Sequence, residues 1–196
     1  MAKPWSNCSS FLFLFIVTPL LTSCLDLAVS VELNNFTSGR VKVDALAWRL
    51  AQGLQAVEGA DLFPFPGSRS EWQNVVDQVP GSSLISWEGA AEDRGFRSAA
   101  VLGFSTARAL EGLFVVFKQK LTLLQDNRGK WTITFVPQVP RVTAADPETR
   151  QLWSDLWGTT VWTFSFTPPG QPRVEHRVSL ADLGGARPPA EWTVSW

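Results

Sequence analysis

Three short stretches of this chain carry an aromatic or β-branched side chain at every second residue. They are Trp131-Ile133-Phe135, Trp162-Phe164-Phe166 and Trp192-Val194-Trp196. Alternation of period two is the signature of a strand with one apolar face. Three such faces cannot be left in water, since each buried ring removes ~150–250 Å2 from solvent. The chain must therefore build a sheet whose aromatic face is covered. Ten Trp and thirteen Phe accompany no Tyr at all, so these rings supply apolar area without phenolic hydroxyls.

The remaining pattern predicts hairpins with a few helices between them. Leu27, Val29, Val31 and Leu33 alternate with Ala28, Ser30, Glu32 and Asn34. Asn35 to Gly39 reads as a turn into a second strand beginning at Arg40. The same segment holds the sequon Asn35-Phe36-Thr37, for which the turn is the preferred reading. Ala45 to Val57 has helical spacing through Leu46, Leu50, Leu54 and Val57. Ser68 and Glu71 make a capping box for a helix carrying Trp72, Val75, Val76 and Val79. Leu84–Trp87 and Phe96–Phe104 read as strands around an acidic turn, Glu88 to Arg94. Ser105 to Gly112 reads as a short helical connector. Leu113 to Gln125 is predicted to be one long strand, paired with Trp131–Val136 through the turn Asp126 to Lys130. Asp146-Pro147 opens a helix with Leu152, Trp153, Leu156 and Trp157 on one side, closed by Gly158. Thr160–Thr167, Val174–Val178 and Trp192–Trp196 complete the strands. The fold class expected is α+β: an antiparallel sheet of hairpins with two or three short helices packed on it.

The N-terminus constrains location. Lys3 precedes an apolar run of eleven residues, Phe11 to Leu21, and then Leu21-Thr22-Ser23-Cys24. A bilayer-spanning helix needs ~20 apolar residues, so the run is that of a secretory signal. Leu, two small residues and Cys in this spacing are a bacterial lipobox. Residues 1–23 are expected to be a lipoprotein signal peptide, and 24–196 a single domain lipidated at Cys24. Acyl chains contribute ~0.8 kcal/mol per buried CH2, so two or more hold a protein at a membrane. The location implied is a cell membrane or outer membrane, facing outside the cytoplasm. Leu25, not Asp, follows the Cys, which by the enteric sorting rule points to the outer membrane where one exists.

Function classes narrow by exclusion. Removing residues 1–23 takes away Lys3 and no acid, leaving 16 basic and 18 acidic side chains. That balance gives no footprint for nucleic acid. With Cys8 in the signal and Cys24 acylated, no thiol remains for a disulfide, metal or nucleophile. His176 is the only histidine, placed by alternation opposite Glu175 and Arg177. Neither a G-x-S-x-G nor an H-E-x-x-H motif occurs. Glu88, Glu92 and Asp93 beside Arg94 lack the spacing of a calcium loop, and Gly184-Gly185 lacks the context of a phosphate loop. No catalytic residue, metal or cofactor is expected, and the protein is read as non-enzymatic.

The aromatic stripes admit two readings. In one, they pack solidly against the Trp153/Trp157 helix. In the other, Trp131, Phe135, Trp162, Phe164, Trp192 and Trp196 line an apolar cavity for a lipid, with Arg94, Arg97 and Lys118 meeting an anionic head group. A cavity of hundreds of Å3 would favour the ligand; a solid core would favour a protein–protein interaction module. The Pro-flanked loop with Leu62, Phe63 and Phe65 is a candidate patch for such a partner.

Taken in order, several features resemble bacterial lipoproteins of the LppM type. They are Cys24, the strand pair around Ser38-Gly39 with Val41 and Val43, and the Gly95-Phe96 strand ending at Phe104. Ala109-Leu110-Glu111-Gly112 and the closing Trp192-Thr193-Val194-Ser195-Trp196 follow. The resemblance covers most of residues 24–196. It implies an α+β envelope domain with lipid binding, and it carries over no catalytic residue. Family members often continue into a C-terminal membrane helix; no such span follows here, which implies a purely lipid-anchored branch. The leading expectation is a membrane-anchored lipoprotein that binds a lipid or other apolar ligand, with the interaction module as the alternative.

Overall fold

The structure is a computed structural model. It describes residues 25–48, 66–93, 95–138, 147, 161–179 and 191–196. The signal and Cys24, the Leu62–Phe65 loop, Arg94, Gly184-Gly185 and the Asp146–Gly158 helix (apart from helical Pro147) lie outside them.

The alternating N-terminal segment forms β1 (Leu25–Leu33), which turns back into β2 (Gly39–Trp48). Asn35 closes that turn: its Oδ1 accepts the backbone N–H groups of Thr37 at 2.9 Å and Ser38 at 2.7 Å, the local bonding that favours Asn there. Helix α1 (Arg69–Asp77) starts at the expected capping residue. Ser68 Oγ accepts from Glu71 N, while Glu71 Oε2 reaches back to Gly67 N at 2.6 Å. Next come β3 (Ser82–Glu92), β4 (Gly95–Phe104) and α2 (Ala107–Val116). The chain continues through β5 (Lys120–Gln125), β6 (Trp131–Val136), β7 (Val161–Thr167), β8 (Val174–Ser179) and β9 (Trp192–Ser195).

The strands make two sheets rather than one. The larger has the order β3-β4-β2-β1-β7-β8, the smaller β5-β6-β9. Every neighbouring pair is antiparallel except β1 and β7, which run parallel from Leu27↔Trp162 to Glu32↔Thr167. The expected purely antiparallel sheet is thus corrected to a mixed one. Parallel neighbours need a long crossover, and here most of the chain separates the two strands. Period-two patterning reports which face is apolar and is silent on strand direction.

Three local expectations also change. Ala45–Trp48, read as the start of a helix, belong to β2. Pairing with β1 (to Leu25↔Ala47) and with β4 (to Trp48↔Gly95) saturates the backbone on both sides, and that outweighs helical spacing, a weak preference. Glu88 to Glu92 extend β3, so the turn shrinks to the residues between Glu92 and Gly95, which pair directly. Leu113–Val116 are helical, and the strand begins only at Lys120. Leu110, Leu113, Phe114 and Phe117 are buried at helical spacing. Thr106 caps the start through Ala109 N at 3.1 Å. The helix stops with Lys118 in the left-handed region (φ 55). Gln119 N–H then donates to Phe114 O and Lys118 N–H to Val115 O, the two bonds of a Schellman ending.

One face of the six-stranded sheet is the core. Leu27, Val31, Val41, Val43, Ala100 and Leu102 on that face are buried, beneath α1, α2 and the smaller sheet. The Ala109–Gly112 segment is built into this packing: Ala109 and Leu110 are buried, and Glu111 Oε1 accepts Leu123 N–H at 2.9 Å. That bond covers the free edge of β5, a site otherwise open to strand addition. Among the described residues no helix is long and apolar enough to cross a membrane.

Gly39 faces Leu33 across the first hairpin, and a Cβ there would run into the Glu32 carbonyl oxygen. Gly39→Ala is therefore expected to destabilise the domain by about 1–3 kcal/mol, the scale of overpacking. A lower urea midpoint with an unchanged slope is the readout.

Candidate functional site

The three aromatic stripes meet between the two sheets. Phe135 on β6 stacks face to face on Phe164 of β7, centroids 4.3 Å apart and planes 9° from parallel. Phe114 from α2 sets its edge against both, at 5.9 and 6.0 Å. Trp192 on β9 approaches Phe164 edge-on at 5.0 Å. Trp196 joins through Phe166 at 4.9 Å. Offset and edge-to-face contacts of this kind each add ~0.5–1.5 kcal/mol beyond burial. Of the six residues proposed to line a ligand site, Phe135, Phe164 and Trp192 thus form one stack, and Trp196 extends it. Trp162 lies two residues from Phe164 on the same face. Trp131 is set apart, stacked on Phe36 at 6.0 Å.

Beside the stack lies an apolar cavity of about 30 Å3, bordered by Leu27, Val29, Phe117, Gln119, Trp162 and Phe164 among others. That is room for a water-sized body, whereas small-molecule pockets run to ~300–1,000 Å3. Gln119 at its rim is already committed. Its amide accepts Gln138 N–H at 2.9 Å and donates to Gln138 O at 3.2 Å, imitating a strand pair.

Of the cations proposed for a head group, Arg94 lies outside the described residues, and Arg97 and Lys118 are not brought together. Arg97 lies on the outer face of β4 and forms a two-pronged pair with the Asp44 carboxylate. That hydrogen bond and charge, with Glu92 3.8 Å away, raise its pKa above the ordinary arginine value. Lys118 follows α2, which packs on the opposite, core face. Around Arg97 an open groove of about 330 Å3 is bordered by Asp26, Asp44, Glu92 and Thr163 together with Leu46 and Val161. Glu88 and Glu92 lie within β3, and among the described residues no three acidic, His or Cys side chains gather within metal reach. His176 faces away from Glu175 and Arg177, as alternation predicts. Its ring stacks on Trp192 at 5.7 Å, and its Nε2 is buried without a hydrogen-bond partner among the described residues.

One polar centre was not legible in the sequence. Ser98, 4 % exposed, accepts the indole N–H of Trp72 at 3.0 Å and of Trp87 at 3.2 Å. Its own hydroxyl donates to Pro66 O at 2.7 Å. One proton given and two lone pairs filled exhaust what a hydroxyl offers. This node ties α1, β3, β4 and the segment before α1 together. Ser98→Ala should therefore cost about 1–3 kcal/mol, because the Trp72 N–H is stranded in the core. Phe164→Ala should cost about 3–5 kcal/mol through the void it leaves. Chemical denaturation monitored by tryptophan fluorescence checks both.

No family model and no curated protein sequence matches the chain. Among solved structures, the folded domain of LppM from Mycobacterium tuberculosis, determined by NMR, is similar. It shares 12% identity at a TM-score of 0.46, with 89% of this chain and 88% of that chain covered.

Proposed function

We propose that this protein is a non-enzymatic envelope lipoprotein, held at a membrane through Cys24, that works as an interaction module by its outer surface. The observation that carries the choice is the filled aromatic core. Phe135, Phe164, Phe114 and Trp192 occupy the space between the sheets, and the adjacent cavity of about 30 Å3 is an order of magnitude below a ligand pocket. A lipid ligand between the sheets would require the Phe135–Phe164 stack to open. The lipobox supports the anchor, and β1 beginning at Leu25 gives an acyl group on Cys24 a firm attachment with no spacer.

Two measurements test this. Intact mass of the membrane-extracted chain is expected to show loss of residues 1–23 and a diacylglyceryl-sized addition, and Cys24→Ala should release the protein from the membrane fraction. An unmodified Cys24 in a membrane-bound chain would overturn the anchor. Native mass spectrometry after incubation with envelope lipid extract is expected to show the bare domain. A stoichiometric lipid that leaves on denaturation would instead restore the ligand reading.

A further inference from the structure

We infer that the hairpin end of the domain, farthest from Leu25, is a docking surface for an anionic lipid bilayer. Three turns meet there: β1–β2 at 34–38, β5–β6 at 126–130 and β7–β8 at 168–173. The parallel register brings the end of β7 beside that of β1, Glu32 opposite Thr167. The stack of Phe36 on Trp131 joins the first two turns. Trp196 is fastened alongside, exchanging two backbone hydrogen bonds with Trp131 at 3.0 Å each.

Phe36 leaves 52% of itself in water at the tip of a turn, and Trp131 and Trp196 are only half-buried. Large rings held at a protein tip with one side apolar and one side wet suit the bilayer interface. The charges agree. Arg128 and Lys130 lie in the β5–β6 turn, and Arg40 follows the β1–β2 turn. All three are exposed, and none is in an ion pair among the described residues. The nearby acids are engaged. Asp126 turns its carboxylate inward to the backbone N–H groups of Arg128 and Lys130 at 2.8 and 2.9 Å. Glu32 holds Lys42, and Glu175 holds Arg173 and Arg177. Unpaired cations around an exposed ring are attracted to anionic head groups, with each Lys or Arg adding severalfold to binding near such a surface. A folded protein partner fits less well, because two rings offer far less than the roughly 800 Å2 per side that a stable interface buries.

The inference does not depend on acylation of Cys24. Full-length chain is mixed with vesicles of phosphatidylcholine alone and with about 30% phosphatidylglycerol, at low and high salt, since surface attraction is screened over about 10 Å at 0.1 M salt. The N-terminal segment, with Lys3 and its own amine, is the same in every variant, so its affinity for anionic vesicles cancels between variants and the change in ratio on substitution is the readout. The wild-type ratio is expected to be about tenfold or more at low salt and to collapse at high salt. Arg128→Gln with Lys130→Gln should bring it towards one. Phe36→Ser should weaken binding to both vesicles, and Phe36→Leu should retain it. A ratio near one for the wild type, or one unchanged by the double substitution, overturns the proposal. Sedimentation showing that Phe36→Ser turns a dimer into a monomer, with the ratio untouched, assigns the tip to a second copy instead. Should Phe36→Ser lower the melting temperature, the charge substitutions decide alone.

Discussion

The stack of Phe135 on Phe164 is the contact on which the architecture depends. Neither sheet could stand by itself. The smaller one has three short strands, and its single apolar face is the stripe Trp131, Ile133 and Phe135, continued by Leu121 and Leu123. The larger presents Leu27, Val43 and Phe164 to the same space. Phe164 sits where the two faces and helix α2 converge, touching Phe135, Phe114 and Trp192 at once. Burial of these rings is the main favourable term available, because the described structure has no buried ion pair, and exposed pairs such as Lys42–Glu32 contribute ~0–1 kcal/mol. Space given to ring–ring contact between the sheets is not open to a ligand there.

What the sequence disclosed about the fold follows one rule. Features written over neighbouring residues were legible: the Asn35 turn, the Ser68–Glu71 capping box, the Asp126–Lys130 hairpin and the alternation in β6, β7 and β9. Features decided by distant partners were not. Leu46 and Leu50 have helical spacing, yet Ala45–Trp48 stay in β2 because β1 and β4 are waiting on either side. The run Leu113 to Phe117 is continuously apolar, and no period separates a buried strand from a buried helix there. Its end is hidden as well, since the left-handed position falls on Lys118 where a glycine would have announced it.

The same division runs through the candidate site. The stripes pointed to Phe135, Phe164 and Trp192, which meet, but not to Phe114, which packs on the first two. Trp131 pairs with Phe36, ninety-five positions earlier in the chain, because the two turns end at the same height. Ser98 was invisible for a related reason. A serine in a strand carries no signal, and its importance arises only when Pro66, Trp72 and Trp87 arrive around it. The Ala109–Gly112 segment shows how a motif can be structural: its acid, Glu111, is spent on the open edge of β5.

The position of β1 gives these observations a direction in space. It is the first strand in sequence and an inner strand in the sheet, bonded to β2 on one side and β7 on the other. Whatever precedes Leu25 therefore leaves from the middle of one end of the sheet. Nine strand residues at ~3.3 Å each put the Phe36 turn about 30 Å away. The tether proposed at Cys24 would leave the domain two orientations. Standing upright, it carries the Phe36–Trp131 tip and its cations away from the anchoring membrane, towards whatever surface faces it. Lying down, it brings the tip to the same membrane, and one long side of the sheets must then rest on the head groups. The outer face sets the pairs Arg97–Asp44 and Lys42–Glu32 beside exposed Val161 and the groove-lining Ala28 and Leu46. Under the proposed anchor, an upright domain would let the two ends of the strands meet two different surfaces.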